Sequence, residues 1–212
     1  MQNIEKKLIR NNIEDKVKSI SENERKIYSE IIQVKALNLI SYYSYLSETK
    51  DQLISVYVST KNEVITYHII NEILKKCNVW IPKCNGNLLE FYSISSIEDL
   101  ELGKFGILEP RSSLTKLKEL NDLDLIIVPG IAFDINCNRL GRGKGFYDRC
   151  LSQLKKDVVR VGLAYDNQVL DNLPHNEYDQ PVDYVITPSQ VFSLNEKMPL
   201  PPSLFLERRN IS

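Results

Sequence analysis

Leu53-Ile54-Ser55-Val56-Tyr57-Val58 is a run of β-formers, followed by the polar stretch Ser59-Thr60-Lys61-Asn62-Glu63. Residues 66–76 then place Ile69, Ile70, Ile73 and Leu74 at helical spacing, and Val79-Trp80-Ile81-Pro82 reads as a short strand stopped by its proline. Strand, helix, strand with short connections predicts a βαβ unit and therefore a parallel sheet. Residues 88–94 predict a further strand, as do 123–128, 158–164 and 182–186, while 95–121 are broken by Gly103, Gly106 and Pro110. The expected fold is α/β, a single open, mostly parallel, Rossmann-like sheet flanked by helices. In such sheets ligands sit outside the carboxyl ends of the strands, so Glu63 and the segment after residue 128 are expected at one crevice.

Upstream of this unit, Ile4, Leu8, Ile9, Ile13 and Val17 approach helical spacing, with Lys6, Lys7 and Arg10 on the flanks. Ser21-Glu22-Asn23-Glu24 is a capping-box pattern opening a second helix to about Tyr43. An N-terminal helical pair is expected. Downstream, residues 188–212 hold four of the nine prolines and are expected to form an irregular tail beyond an α/β domain of residues 1–187.

Composition narrows the classes of function. The chain has 212 residues, is 42% hydrophobic and 26% charged, and carries a net charge of -1. That balance leaves no electrostatic footprint for nucleic acid or a membrane surface, so any anion site is a local concentration of cations. No apolar run approaches the ~18 residues of a membrane span, and the acidic residues among the first twenty argue against a targeting peptide. A cytoplasmic monomer acting on small molecules is the expectation. Cys77, Cys84, Cys137 and Cys150 lack paired spacing and are expected to be reduced.

The chemistry lies after the strand at 123–128. There the sequence reads Val128-Pro129-Gly130-Ile131-Ala132-Phe133-Asp134, then Arg139-Leu140-Gly141-Arg142-Gly143-Lys144-Gly145-Phe146-Tyr147-Asp148-Arg149. Three glycines at alternate positions let backbone N–H groups approach an anion, and the interleaved Arg142 and Lys144 supply charge. A helix over 147–154 would point its positive end at the same place. A P-loop needs Ser or Thr after its lysine, where Gly145 stands here. A dinucleotide fingerprint needs Gly-x-Gly-x-x-Gly early in the βαβ unit, whereas this loop is late and spaced Gly-x-Gly-x-Gly. A basic nest for a triphosphate and a plain turn both remain. Asp148 suits a metal beside that nest, or the cap of the following helix.

The two segments 129–134 and 139–148 together closely resemble the signature of the 5-formyltetrahydrofolate cyclo-ligase family. The resemblance runs over roughly residues 4–187, taking in Lys6-Lys7-Leu8-Ile9-Arg10, Ser59 to Glu63, Trp80-Ile81-Pro82-Lys83, Phe105 and the stretch from Asp179 to Asp183. It implies an ATP- and Mg2+-dependent closure of 5-formyltetrahydrofolate to the 5,10-methenyl form. Lys6, Lys7, Leu8, Ile9, Arg10 and Arg139, Leu140, Gly141, Arg142, Gly143, Lys144, Gly145, Phe146 and Tyr147 are implied to hold ATP, with Arg142 and Lys144 on the transferring phosphate. Val58, Glu63, Phe105 and Tyr147 are implied to line the folate site, and Asp148 and Asp179 to hold magnesium. Phenylalanine stands at 105 and 146 where relatives carry tryptophan and tyrosine. A silent folate-binding relative, or another ATP-dependent ligase on the same fold, is the alternative.

Overall fold

The computed structural model describes residues 2–46, 51–103 and 106–194. Two helices, α1 (Gln2–Ser19) and α2 (Glu22–Leu46), precede β1 (Leu53–Val56), α3 (Tyr67–Ile73), β2 (Asn78–Asn85) and β3 (Leu88–Ile94). The short strands β4 (Leu100–Leu102) and β5 (Leu108–Pro110) pair with each other as a separate ribbon. Then come β6 (Leu125–Val128), β7 (Ala132–Asp134), β8 (Arg139–Leu140), α4 (Phe146–Leu151), β9 (Val159–Leu163), β10 (Val169–Leu170), β11 (Tyr184–Ile186) and β12 (Val191–Ser193).

The main sheet has seven strands in the order β12-β11-β9-β6-β1-β2-β3. Its five central strands are parallel, and an antiparallel strand closes each edge. From β1 the chain first steps outward to β2, then returns to place β6 on the other side of β1. That reversal leaves a crevice at the carboxyl ends of β1 and β6, the place where open α/β sheets bind ligands.

Alternation along the strands sorts the core into two layers. Leu125 and Ile127 of β6 join one apolar cluster with Ile54, Val56, Val159 and Val161, and the residues of α1, α2 and α3 that pack there. Ile126 and Val128 face the other cluster, which holds Cys150, Leu151 and Leu154 of α4 and its continuation. Helices therefore cover both faces of the sheet, as expected.

Several local expectations are met and others corrected. Glu24 N donates to Ser21 Oγ at 3.2 Å and Ser21 N to Glu24 Oε2 at 3.0 Å, the reciprocal cap of α2. Pro82, expected to end its strand, lies inside β2, whose pairing with β1 stops at Trp80. From there only β3 flanks it, and an edge tolerates the missing N–H. The stretch after 187, expected to be irregular, contributes β12 on β11, with residues beyond 194 outside the described ones.

The inward face of α1 is also not the apolar stripe the spacing suggests. Ile4 and Leu8 are 68% and 64% exposed, while Lys6, Ile13 and Val17 are buried. Positions 6, 10, 13 and 17 share one helical face, so the stripe runs from two cations to two apolar residues. The first half of the helix reaches the core only through the partly buried Ile9, and the second half through Ile13 and Val17.

Phe133 locks the sheet to the glycine-rich segment. It is fully buried, and a Cβ at Gly130 or at Gly162 would come within 2.6 Å and 2.5 Å of its ring. Asp134 beside it is also fully buried. Its Oδ1 accepts the N–H groups of Asn136 (3.0 Å) and Asn138 (2.9 Å), and its Oδ2 accepts Leu173 N (3.0 Å). These bonds fix the turn that carries Cys137 at φ 62 and returns the chain into β8. Gly162→Ala forces the Phe133 ring to shift and is expected to destabilise the fold by ~1–3 kcal/mol in urea unfolding. A change under about 0.5 kcal/mol would show that the ring is not confined.

Candidate active site

The crevice between β1 and β6 opens into a cavity of about 700 Å³. The loop after β1 contributes Tyr57, Val58, Thr60 and Glu63, and the loop after β6 contributes Pro129, Gly130 and Ile131. The glycine loop and the start of α4 close a third side with Arg142, Lys144, Phe146, Tyr147 and Asp148. Lys83 and Cys84 of β2, with Leu108 and Glu109 of β5, form the remaining wall.

Gly143 and Gly145 adopt φ 93 and 66, conformations that favour glycine. Gly145 starts α4 with no side-chain cap, and with six residues that helix is shorter than the one expected over 147–154. Gly141 is needed for a different reason: a Cβ there would sit 2.9 Å from Arg139 Nη1.

Arg139 is buried behind the loop. It donates to Asp148 Oδ1 (2.7 Å) and Pro129 O (3.2 Å), and its guanidinium lies 5.5 Å from the centre of the Tyr147 ring. Arg139 thus fixes Asp148 and Tyr147 in place. Leu140 is buried in β8, where its carbonyl accepts Ile131 N at 2.8 Å. Arg142 reaches across the cavity, donating to Glu63 Oε1 at 2.9 Å and to Thr60 Oγ1 at 3.3 Å. Glu63 Oε2 accepts both the N–H and the hydroxyl of Thr60, each at 2.9 Å. The Lys144 side chain makes no hydrogen bond or ion pair among the described residues and lines the cavity.

The N-terminal helix meets the loop from outside. Arg10 Nε donates to Gly141 O at 2.8 Å, and buried Lys6 is ion-paired with Asp179. Asp179 also accepts Asn176 N at 2.7 Å, and the next residue's N–H lies 3.5 Å from Asp148 Oδ1. Lys6, Arg10, Asp148 and Asp179 are therefore one neighbourhood. Lys7 and Leu8 instead face solvent, and Ile9 packs on the core. Phe105 lies outside the described residues. Sequence reasoning gave no role to Tyr57, Cys84 and Glu109, which line the same cavity, nor one of its own to Thr60 within the Ser59–Glu63 stretch.

Burial, reinforced by the Glu63 carboxylate, holds the Tyr57 phenol well above its ordinary range, so it remains a donor, here to Val64 O at 3.0 Å. Burial likewise raises Tyr147. Among the described residues no group of three or more acids, histidines or cysteines could cage a metal. Asp148 and Asp179 each leave one carboxylate oxygen uncommitted, which suits a hard cation carried largely by substrate phosphates.

The model of the 5-formyltetrahydrofolate cyclo-ligase family matches residues 2–188. The chain belongs to that family. It is 34% identical over 183 residues to the probable 5-formyltetrahydrofolate cyclo-ligase of Schizosaccharomyces pombe, covering 78% of this chain and 90% of that protein. It is 30% identical over 196 residues to the 5-formyltetrahydrofolate cyclo-ligase of Mus musculus, covering 87% and 94%. The solved structure of Aquifex aeolicus 5,10-methenyltetrahydrofolate synthetase superposes with a TM-score of 0.75 at 36% identity, covering 92% of this chain and 96% of that one. Among the described residues no helix of this family member is long and apolar enough to cross a membrane.

All four cysteines are free, and burial pushes Cys137 and Cys150 up to about 12. Cys84 is exposed on the cavity wall. Iodoacetamide at mildly alkaline pH is therefore expected to modify Cys84 well before Cys137 or Cys150, as read by peptide mass spectrometry. Earlier labelling of either buried thiol would contradict the packing of the second core layer.

Proposed function

We propose that the cavity closes 5-formyltetrahydrofolate to 5,10-methenyltetrahydrofolate with consumption of ATP. The observation that carries this reading is the meeting of Arg142 and Lys144 with Val58, Glu63 and Tyr147 around one cavity at the β1/β6 reversal. A formyl group on nitrogen is an amide, and its oxygen leaves poorly. Moving the γ-phosphoryl group of ATP onto that oxygen makes a good leaving group. N10 then attacks the formyl carbon, loses its proton, and phosphate departs. Phosphoryl transfer asks chiefly for positioning and charge neutralisation, which suits a site rich in cations and without a nucleophile–base pair.

In this reading the glycine loop, approached from outside by Arg10 and Lys6, takes the triphosphate. Lys144 enters unpaired, and Arg142 exchanges Glu63 for a phosphate oxygen when ATP arrives. That exchange frees Glu63 Oε1 for an N–H of the folate, while Oε2 stays with Thr60. Val58 and Tyr147 offer apolar faces to the flat rings. Asp148 and Asp179 would hold Mg2+ through their spare oxygens, and the ion would neutralise phosphate charge.

The purified protein, given Mg-ATP and 5-formyltetrahydrofolate, is expected to generate the near-ultraviolet absorbance of the methenyl product. Folded protein that gives no product would overturn the reading. Lys144→Ala is expected to lower kcat by about 100-fold or more while leaving folate affinity nearly unchanged. An equal loss of folate affinity would assign the lysine to the folate instead.

A further inference from the structure

Three carboxylates line the cavity: Glu63, Asp148 and Glu109. They are not equally available. Asp148 Oδ1 is held by buried Arg139. Glu63 Oε2 accepts two hydrogen bonds from Thr60 and Oε1 accepts one from Arg142, so even after Arg142 leaves, a single oxygen can turn to a ligand. Glu109 has neither oxygen engaged in a hydrogen bond among the described residues. Its nearest charged neighbour, Lys83 Nζ, lies 3.9 Å from Oε2 and is already committed to Pro110 O (2.9 Å) and Ser112 Oγ (3.1 Å).

The setting of Glu109 is specific. It stands on β5 with its side chain 24% exposed, and it lies against the bare backbone of Gly103, where a Cβ would come 2.5 Å from Glu109 Cδ. Pro82, Leu89, Ile107 and Leu108 line the same cavity. A carboxylate with both oxygens free of hydrogen bonds among the described residues, set among apolar lining with Lys83 3.9 Å from one oxygen, suits a flat heterocycle that presents two adjacent N–H donors. A tetrahydropterin has such an edge, formed by its exocyclic amine and the neighbouring ring N–H.

Resting on the reading of the site as a folate cyclo-ligase, we propose that Glu109 holds this two-donor edge and so selects the pterin ring, while Glu63 serves a single donor. Hydrogen bonds to a charged group are among the stronger ones, and a paired set aligns the ring as well as binding it. Glu109 thus fixes the orientation in which the formyl group faces Lys144.

The test is Glu109→Gln, which keeps the shape and removes the paired acceptor. KM for 5-formyltetrahydrofolate is expected to rise about 10- to 100-fold, with KM for ATP changed less than about threefold. A folate analogue with methyl in place of the exocyclic amine should bind wild type correspondingly more weakly, and should bind wild type and variant alike. Unchanged folate KM, a parallel rise in ATP KM that would place adenine on this wall, or an equal analogue penalty in both proteins would each overturn the proposal. If the variant does not fold, wild-type affinity for the analogue decides alone, and parity with the natural ring overturns it. Direct binding by intrinsic fluorescence separates the two readings. Wild type that binds the folate without turnover, and loses it in Glu109→Gln, keeps the role of Glu109 and sinks the enzyme. Wild type that does not bind it overturns both.

Discussion

Backbone pairing of β1 with β6, Ile54 to Leu125 through Val56 to Ile127, is the constraint on which the site depends. The two strands are far apart in sequence, yet their parallel register brings both carboxyl ends to the same level. The loops leaving the two strands are therefore delivered to one crevice: the Thr60–Glu63 loop from β1, and the Pro129–Gly130 turn from β6. Parallel strands need a crossover, and the two crossovers leave this pair in opposite directions. No helix fills the gap between their ends. The cavity is thus a consequence of topology before any functional side chain is considered.

Charge is managed there by pairing. A chain with net charge -1 has no general attraction for anions, and its cations at this site are mostly held by carboxylates: Arg142 by Glu63, Arg139 by Asp148, Lys6 by Asp179. The pairs differ in burial, and burial decides what each can do. Arg139 has a side chain only 2% exposed, so parting it from Asp148 would strand a desolvated charge, which costs several kcal/mol. Arg142 is 57% exposed, and an exposed pair contributes about 1 kcal/mol or less. The first pair behaves as scaffold. The second is weak enough to part at little cost.

The fold was legible where periodicity and propensity agreed. Residues 53–82 showed their strand, helix and strand because β-branched runs and an amphipathic stretch alternate there without ambiguity. The course of β2 past Pro82 and the addition of β12 were not legible, because both depend on which neighbour a strand has, and sequence spacing does not report neighbours. The exposure of Ile4 and Leu8 was hidden for a related reason: an apolar period assumes an apolar partner, and these two side chains of α1 meet solvent instead. At the site, Arg142, Lys144 and Asp148 announced themselves through glycine and charge. Glu109 did not, since a lone acid in an irregular segment carries no pattern until folding sets it against a cavity wall. Asp134 was visible in the signature, but its task of gathering the amides of Asn136, Asn138 and Leu173 was not.

The contacts of α1 also bear on the order in which the molecule comes into being. Lys6 pairs with Asp179, and Gln2 Nε2 donates to the carbonyl of His175, each across 173 positions of sequence. Such non-local closure is slow relative to helix formation. During synthesis, which proceeds from the amino end, the first helix emerges long before its partners, and Lys6 stays solvated until Asp179 arrives. The contact between α1 and the loop at Asp179 therefore forms only after residue 179 has cleared the ribosome. A nascent chain halted short of that point also lacks β11 and β12, so the outer contacts of α1 are a late event in the life of the polypeptide.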